Sequence, residues 1–221
     1  MIRLVCINEL YQLLWEEYGP QHWWPAQSNF EIMVGAVLTQ NTAWRNVEHA
    51  LTNLKQARVL TPERILATPQ HELSELLRPS GCYNVKAHRL RALCQWLVDN
   101  GGHAYLNCRS TRELRDALLS VHGVGEETAD AIILYAFERP VFVVDAYTKR
   151  LLSRVGLIQG KEKYLTLQSL VAEQLGPNTV DFNEFHALIV EHVKRSCQKV
   201  PHCRECQIRH RCSYPVKTTQ A

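Results

Sequence analysis

The chain has 221 residues, 46% hydrophobic and 21% charged, with a formal net charge of +3. These are the proportions of an ordinary globular protein with enough chain to bury a core in one unit or two small lobes. A membrane span is excluded from the reading, since the longest apolar run, Ala131 to Phe137, is far short of the ~20 residues a spanning helix needs. Glu9 interrupts what would be a signal peptide's apolar core, so a cytoplasmic protein is expected.

The pattern is helical from end to end. Trp23-Trp24-Pro25 leads into Ser28-Asn-Phe-Glu31, which predicts a capping box at the start of an apolar helix running through Leu38. Gln40, Asn41 and Trp44 follow, and Val47, Ala50, Leu51 and Leu54 then recur at the spacing of one helix face. Thr61-Pro62 predicts an N-cap with proline at the first helical position, and Ser110-Thr-Arg-Glu113 a second capping box. Another buried helix is expected from Thr128 to Phe137. Phe142-Val-Val144 has strand-like residues, but one short run without a partner makes no sheet. The expected fold class is therefore all-α, with a loose tail from about Lys217.

Three segments carry chemistry. In the first, Leu118 to Asp130, a helix gives way to the tight turn Gly123-Val124-Gly125 and a second helix starts at once. Glycines let a ligand approach the backbone, and unpaired N–H groups at a helix start attract an anion such as a nucleic-acid phosphate. A plain turn between packed helices is the bland alternative. In the second, Asp145 follows an apolar run and is placed to cap the helix through Leu151 and Leu152, a structural role compatible with a catalytic one. In the third, Cys197, Cys203, Cys206 and Cys212 have five, two and five residues between them, a set of four thiolates suited to a cubane 4Fe-4S cluster. Zinc, which usually shows two close pairs, stands second. Cys6, Cys82, Cys94 and Cys108 read as incidental thiols. Residues 194–221 carry seven Lys/Arg (Lys194, Arg195, Lys199, Arg204, Arg209, Arg211, Lys217) against Glu205, biasing this end toward a polyanion or simply forming a solvated tail.

The Gly123-Val-Gly125 hairpin, Asp145 in Val-Asp-Ala-Tyr, Gly81-Cys-Tyr-Asn-Val-Lys-Ala87, Val37-Leu-Thr-Gln-Asn-Thr42 and the terminal cysteines together resemble endonuclease III and the helix-hairpin-helix DNA glycosylases. The resemblance covers residues 28 to 212, with the motifs in the family's order. It implies a two-lobed helical fold with the active cleft between the lobes. A six-helix lobe over 28–140 would carry the hairpin, about 114–137, and a second lobe would join 1–27 to 141–221, with the cluster loop at 197–212. It implies Asp145 as the catalytic carboxylate, a 4Fe-4S cluster on the four cysteines, and double-stranded DNA with a damaged base as partner. A nucleoid-associated monomer is expected. Gln40 or Asn41 and Cys82 sit where relatives wedge into the base stack, and Lys86 and Lys149 are candidate phosphate contacts.

The main departure is Glu127, where bifunctional members have a lysine that attacks the sugar. A carboxylate forms no imine, so hydrolysis by water without strand cleavage is expected. Lys86, Lys149 and Lys194 are other amines, but none occupies that position. Trp23, Trp24, Pro25 and Trp44, with Glu127 and Asp145, suggest an aromatic, acidic pocket, although each tryptophan alone reads as core filler. Such a pocket suits a cationic alkylpurine, 3-methyladenine or 7-methylguanine, through cation–π stacking. The motifs also resemble the 3-methyladenine glycosylase branch. Two further readings stand beside this one: a glycosylase for oxidised pyrimidines or mismatched bases, with or without lyase activity, and a non-catalytic iron–sulfur DNA-binding module.

Overall fold

A computed structural model describes residues 6–214, so Lys217 and the tail lie outside the described residues. Among those residues there are helices and no strands. The chain divides into two compact units, one formed by Trp24–Arg139 and the other by the segments on either side.

The flanking unit contains α1 (Ile7–Tyr18), while the continuous unit contains α2 (Asn29–Leu38), α3 (Trp44–Gln56), α4 (Pro62–Ala67), α5 (Gln70–Leu77), α6 (Tyr83–Asp99), α7 (Gly102–Leu106), α8 (Thr111–Leu119) and α9 (Glu126–Ala136). The chain then returns to the flanking unit with α10 (Ala146–Val155), α11 (Tyr164–Leu175) and α12 (Thr179–Arg195). The continuous unit thus has eight α-helices where the resemblance implies six, because α4 and α7 are short turns of helix between the longer ones. Trp24 also begins this unit four residues ahead of the expected boundary at 28. Its ring lies against Gly35, where an added Cβ would stand 3.0 Å from the indole and press the tryptophan outward by a few tenths of an ångström.

Among the described residues, half of the α-helix starts are capped by a local side chain. Thr61 accepts from the Arg64 N–H ahead of Pro62, and Ser110 and Glu113 form the full reciprocal capping box. At Ser28 only half of the expected box forms. The hydroxyl accepts from the Glu31 N–H, but the Glu31 carboxylate accepts from Gln27 N–H and pairs with Lys55 Nζ at 2.6 Å. A charged partner from α3 outcompetes the neutral backbone donor. The stretch through Phe142 to Val144 is extended but pairs with no strand. Its backbone is met by side chains, Gln168 donating to the Phe142 carbonyl and Tyr164 accepting from the Val144 N–H.

The core of the continuous unit forms where α9 packs on α2 and α8, and α6 on α4 and α5. In the flanking unit α12 packs on α1 and α10, with Phe142, Phe182 and Phe185 fully buried. The hairpin α8–α9 is fastened by Arg115, whose guanidinium donates to both oxygens of Asp130, at 2.7 and 3.1 Å; Asp130 is 0% exposed. Arg115→Met should strand that carboxylate and cost about 3 kcal/mol of stability, read in urea denaturation. Arg115→Met combined with Asp130→Leu should recover most of the loss.

Candidate active site

The hairpin turn is held from behind. Gly123 has φ +85, and a Cβ there would lie 2.2 Å from Cγ of Arg89, so glycine is required both by conformation and by the arginine packed on it. At Gly125, the N-cap of α9, φ is an ordinary −98 and a Cβ would meet nothing within 4 Å. The start of α9 therefore presents a low, open backbone surface with no side chain at its cap, the arrangement that admits an anion. Val124 is buried beneath it.

Gln40 does not project as a wedge. Its Nε2 donates to the Gly123 carbonyl at 3.0 Å and to Thr128 Oγ1 at 2.9 Å, and its Oε1 accepts from Arg89. The amide is committed on both ends, whereas Asn41 beside it is exposed, as are Gly81 and Cys82 in the turn ahead of α6. Asn41 and Cys82 are non-glycine residues with left-handed backbone, φ 54 and 45.

Lys86 is not a surface cation. It is 2% exposed, and Nζ donates to the carbonyls of Leu38 at 2.8 Å and Ser80 at 2.6 Å, which corrects its expected role as a phosphate contact. Burial pulls its ammonium below the usual lysine range. Lys149 is exposed on α10, while Lys194 is exposed on α12 and its ammonium stands 5.7 Å over the Trp23 ring.

The aromatic candidates separate. Trp24 meets Trp44 edge-on at 4.8 Å and Tyr135 at 5.0 Å, and Trp44 Nε1 donates to Glu48 Oε1. Trp23 belongs to the flanking unit with Lys194, and Pro25 is exposed. Tyr135 was hidden in the sequence within the apolar run of α9. Glu127 is exposed in the first turn of α9.

Asp145 caps α10, accepting from the Thr148 N–H at 2.7 Å. Its side chain is 14% exposed, and His186 Nε2 from α12 stands 3.6 Å from the other carboxylate oxygen. Burial alone would push the carboxyl up. The nearby His186 ring, with the Thr148 N–H, prevails and holds it below the usual aspartate range. Nothing in the sequence pointed to His186, because the two residues are distant in the chain and only the packing of α12 on α10 joins them.

Cys197, Cys203, Cys206 and Cys212 line one small concavity with Leu151, His192 and Ile208. Burial pushes the Cys206 thiol up to about 11, and the neighbouring cysteines push in the same direction, as four acidic groups gathered around one space must. Four thiols are the donor chemistry a cationic centre takes as thiolates, although among the described residues no three or more of these groups are already disposed to hold a metal ion. The loop is strapped by Arg154, whose Nη1 donates to the carbonyls of Cys197 and Gln198 and lies 3.2 Å from Cys197 Sγ, while Nη2 reaches the Lys199 carbonyl. Cys212 Sγ in turn donates to the Arg154 carbonyl. Among the described residues no helix is long and apolar enough to cross a membrane.

Comparison with known proteins gives concordant matches. The pattern of the HhH-GPD superfamily of base excision DNA repair proteins matches residues 34–177. A Methanocaldococcus jannaschii protein, assigned provisionally by its name to the DNA repair glycosylases, is 45% identical over 93% of this chain and 95% of its own. Endonuclease III of Sulfolobus acidocaldarius is 25% identical over 94% and 95%. Among solved structures, the 3-methyladenine DNA glycosylase of H. pylori bound to 1,N6-ethenoadenine superposes with a TM-score of 0.76 at 32% identity, covering 86% of this chain and 98% of that one. An endonuclease III–DNA complex has a TM-score of 0.80 at 22% identity over 93% of each chain, a likeness of fold.

The Asp145 environment has a measurable consequence. Its depressed pKa contributes stability that is present above the ordinary aspartate value of about 3.9 and is lost as pH falls through the folded value. His186→Asn should move that carboxyl upward, seen in a carbon-13 NMR titration, and shift the acid loss of stability to higher pH. An unmoved titration would detach His186 from Asp145.

Proposed function

The chain belongs to the HhH-GPD superfamily of base excision DNA repair proteins, and from that premise we propose that it is a monofunctional glycosylase that hydrolyses the N-glycosidic bond of alkylated purines, 3-methyladenine and 7-methylguanine, flipped out of duplex DNA. As a family member it is a DNA repair glycosylase with DNA as its partner. The lesion and the absence of strand cleavage are the proposal.

The observation that carries it is an exposed carboxylate, Glu127, at the position where bifunctional relatives present an amine. Lys86 supplies no substitute, since its protons are held by two buried carbonyls. The attacking group is then water. Asp145, ionised and fixed by Thr148 and His186, stabilises positive charge on the sugar as the base departs. The Trp24–Trp44 pair favours a cationic ring, each aromatic contact contributing roughly 0.5–2 kcal/mol. The base named in the H. pylori structure, a modified adenine, supports the purine assignment. The protein acts as a monomer on double-stranded DNA.

We also assign residues Cys197, Cys203, Cys206 and Cys212 to a 4Fe-4S cluster, with zinc as the second choice. When bound, such a group ties four thiolates, and with them a loop bearing Arg204, Arg209 and Arg211, into one rigid body. Arg154 holds the first turn of that loop ready for it.

Incubated with a panel of duplexes bearing single lesions, the protein should excise alkylpurines and leave an intact strand that breaks only after alkali. Borohydride should trap little covalent adduct. Asp145→Asn should still bind the duplex while losing about a hundredfold or more in excision. Abundant trapping would refute the monofunctional assignment, and excision confined to oxidised pyrimidines would refute the substrate.

Protein purified without air should be yellow-brown, with about four irons per chain. Cys206→Ser should lose both colour and DNA affinity. One zinc in a colourless preparation would reassign the site.

A further inference from the structure

Lys86 is, among the described residues, the lysine held out of water, and its two acceptors are informative. Leu38 ends α2, and three residues later Asn41 is exposed with φ 54. Ser80 precedes Gly81 and the exposed Cys82, with φ 45. Asparagine tolerates the left-handed region, but cysteine has no local hydrogen bond to favour it, so the surroundings must impose the Cys82 turn. The Lys86 N–H makes the ordinary first-turn bond of α6 to the Cys82 carbonyl at 3.0 Å, and its side chain adds the specific part, Nζ holding Ser80 on the near side of the turn and Leu38 across from it.

One turn further along α6, at i+3, stands Arg89. It donates to Gln40, which itself donates to the Gly123 carbonyl and to Thr128, and its stem packs against Gly123. Two cations on α6 therefore make adjoining sets of bonds: Lys86 ties the end of α2 to the 80–82 turn, Arg89 through Gln40 ties the 39–42 turn to the 123–128 hairpin, and the two meet in the short chain from Leu38 to Gln40. Charge-assisted bonds from a buried ammonium are strong, and a neutral side chain of the same length would supply none of them.

We propose that Lys86, acting with Arg89 and Gln40, is a positioning residue that locks the exposed turn residues Asn41 and Cys82 in register with the phosphate-gripping hairpin, so that backbone grip and entry into the base stack occur as one docking event. Lys86 itself touches no DNA. The inference rests on the chain being a DNA glycosylase and is independent of which base it removes.

The test uses a duplex with a tetrahydrofuran abasic analogue opposite 2-aminopurine. No bond is available to be cut, and fluorescence reports only displacement of the orphan base. Wild-type protein should raise the fluorescence on binding. Lys86→Met, similar in length but without charge or donors, should cut that rise about threefold or more and weaken abasic-duplex binding about tenfold, while affinity for undamaged duplex changes less than about twofold. A wild-type rise in folded Lys86→Met would overturn the proposal. So would equal losses on both duplexes, which mark general weakening of fold or grip. If circular dichroism shows Lys86→Met unfolded, Lys86→Gln decides, since its shorter amide keeps a donor in the site but cannot reach both carbonyls. A reduced rise with undamaged-duplex affinity retained supports the inference, and any other result overturns it. Failure of the alkylpurine reading would appear instead in the excision panel, which this measurement does not use.

Discussion

A cation taken out of water must be surrounded by acceptors, and the ammonium of Lys86 organises its unit on that condition. Its acceptors are backbone carbonyls, not a carboxylate, so the charge is distributed over two loops instead of being neutralised at one point. Those loops cannot drift apart without exposing the charge to an apolar interior. The same logic recurs at Arg154, which gathers three successive carbonyls of the cysteine loop. In both units a buried or half-buried cation gives irregular backbone the rigidity that helices obtain from their own hydrogen bonds.

The catalytic residues proposed for this glycosylase depend on that rigidity differently. Asp145 is fixed by the first turn of its own helix, so its geometry is local, and only its electrostatic character depends on α12 through His186. The hairpin at Gly123 is fixed from outside, by Arg89 and Gln40. A carboxylate with a local anchor and a backbone anion site with a distant one divide the chemistry from the grip. With this division a change at position 127 would disturb neither: Glu127 is exposed, and the helix behind it is held by Asp130 and Thr128.

Legibility in the sequence followed range. Thr61, Ser110 and Asp145 were readable as caps because each bonds to a neighbour three residues away. The capping box at Ser28 was only half readable, because Lys55 claims the Glu31 carboxylate from another helix. Lys86 reads in the sequence as a surface cation and Gln40 as a wedge, while nothing in the sequence marks Arg154. Their partners lie 48, 83 and 43 residues away, distances at which pattern carries no information. The four cysteines stand out in the sequence as a set, since metal-binding chemistry constrains spacing, and all four line one concavity. The tryptophans were not separable by sequence. Trp23 and Trp24 are adjacent in the chain, yet one sits beneath Lys194 and the other against Trp44 and Tyr135.

The two hairpin glycines face different histories under mutation. At Gly123 a new side chain would collide with the Arg89 stem and demand a positive φ, so the fold rejects it before any ligand is involved. At Gly125 the fold offers no objection, because φ is ordinary and the space beyond Cα is open. A lineage released from DNA repair would therefore keep the first glycine and lose the second. Variation at 125 against constancy at 123 would mark, in a descendant sequence, the moment at which the partner was given up while the scaffold survived.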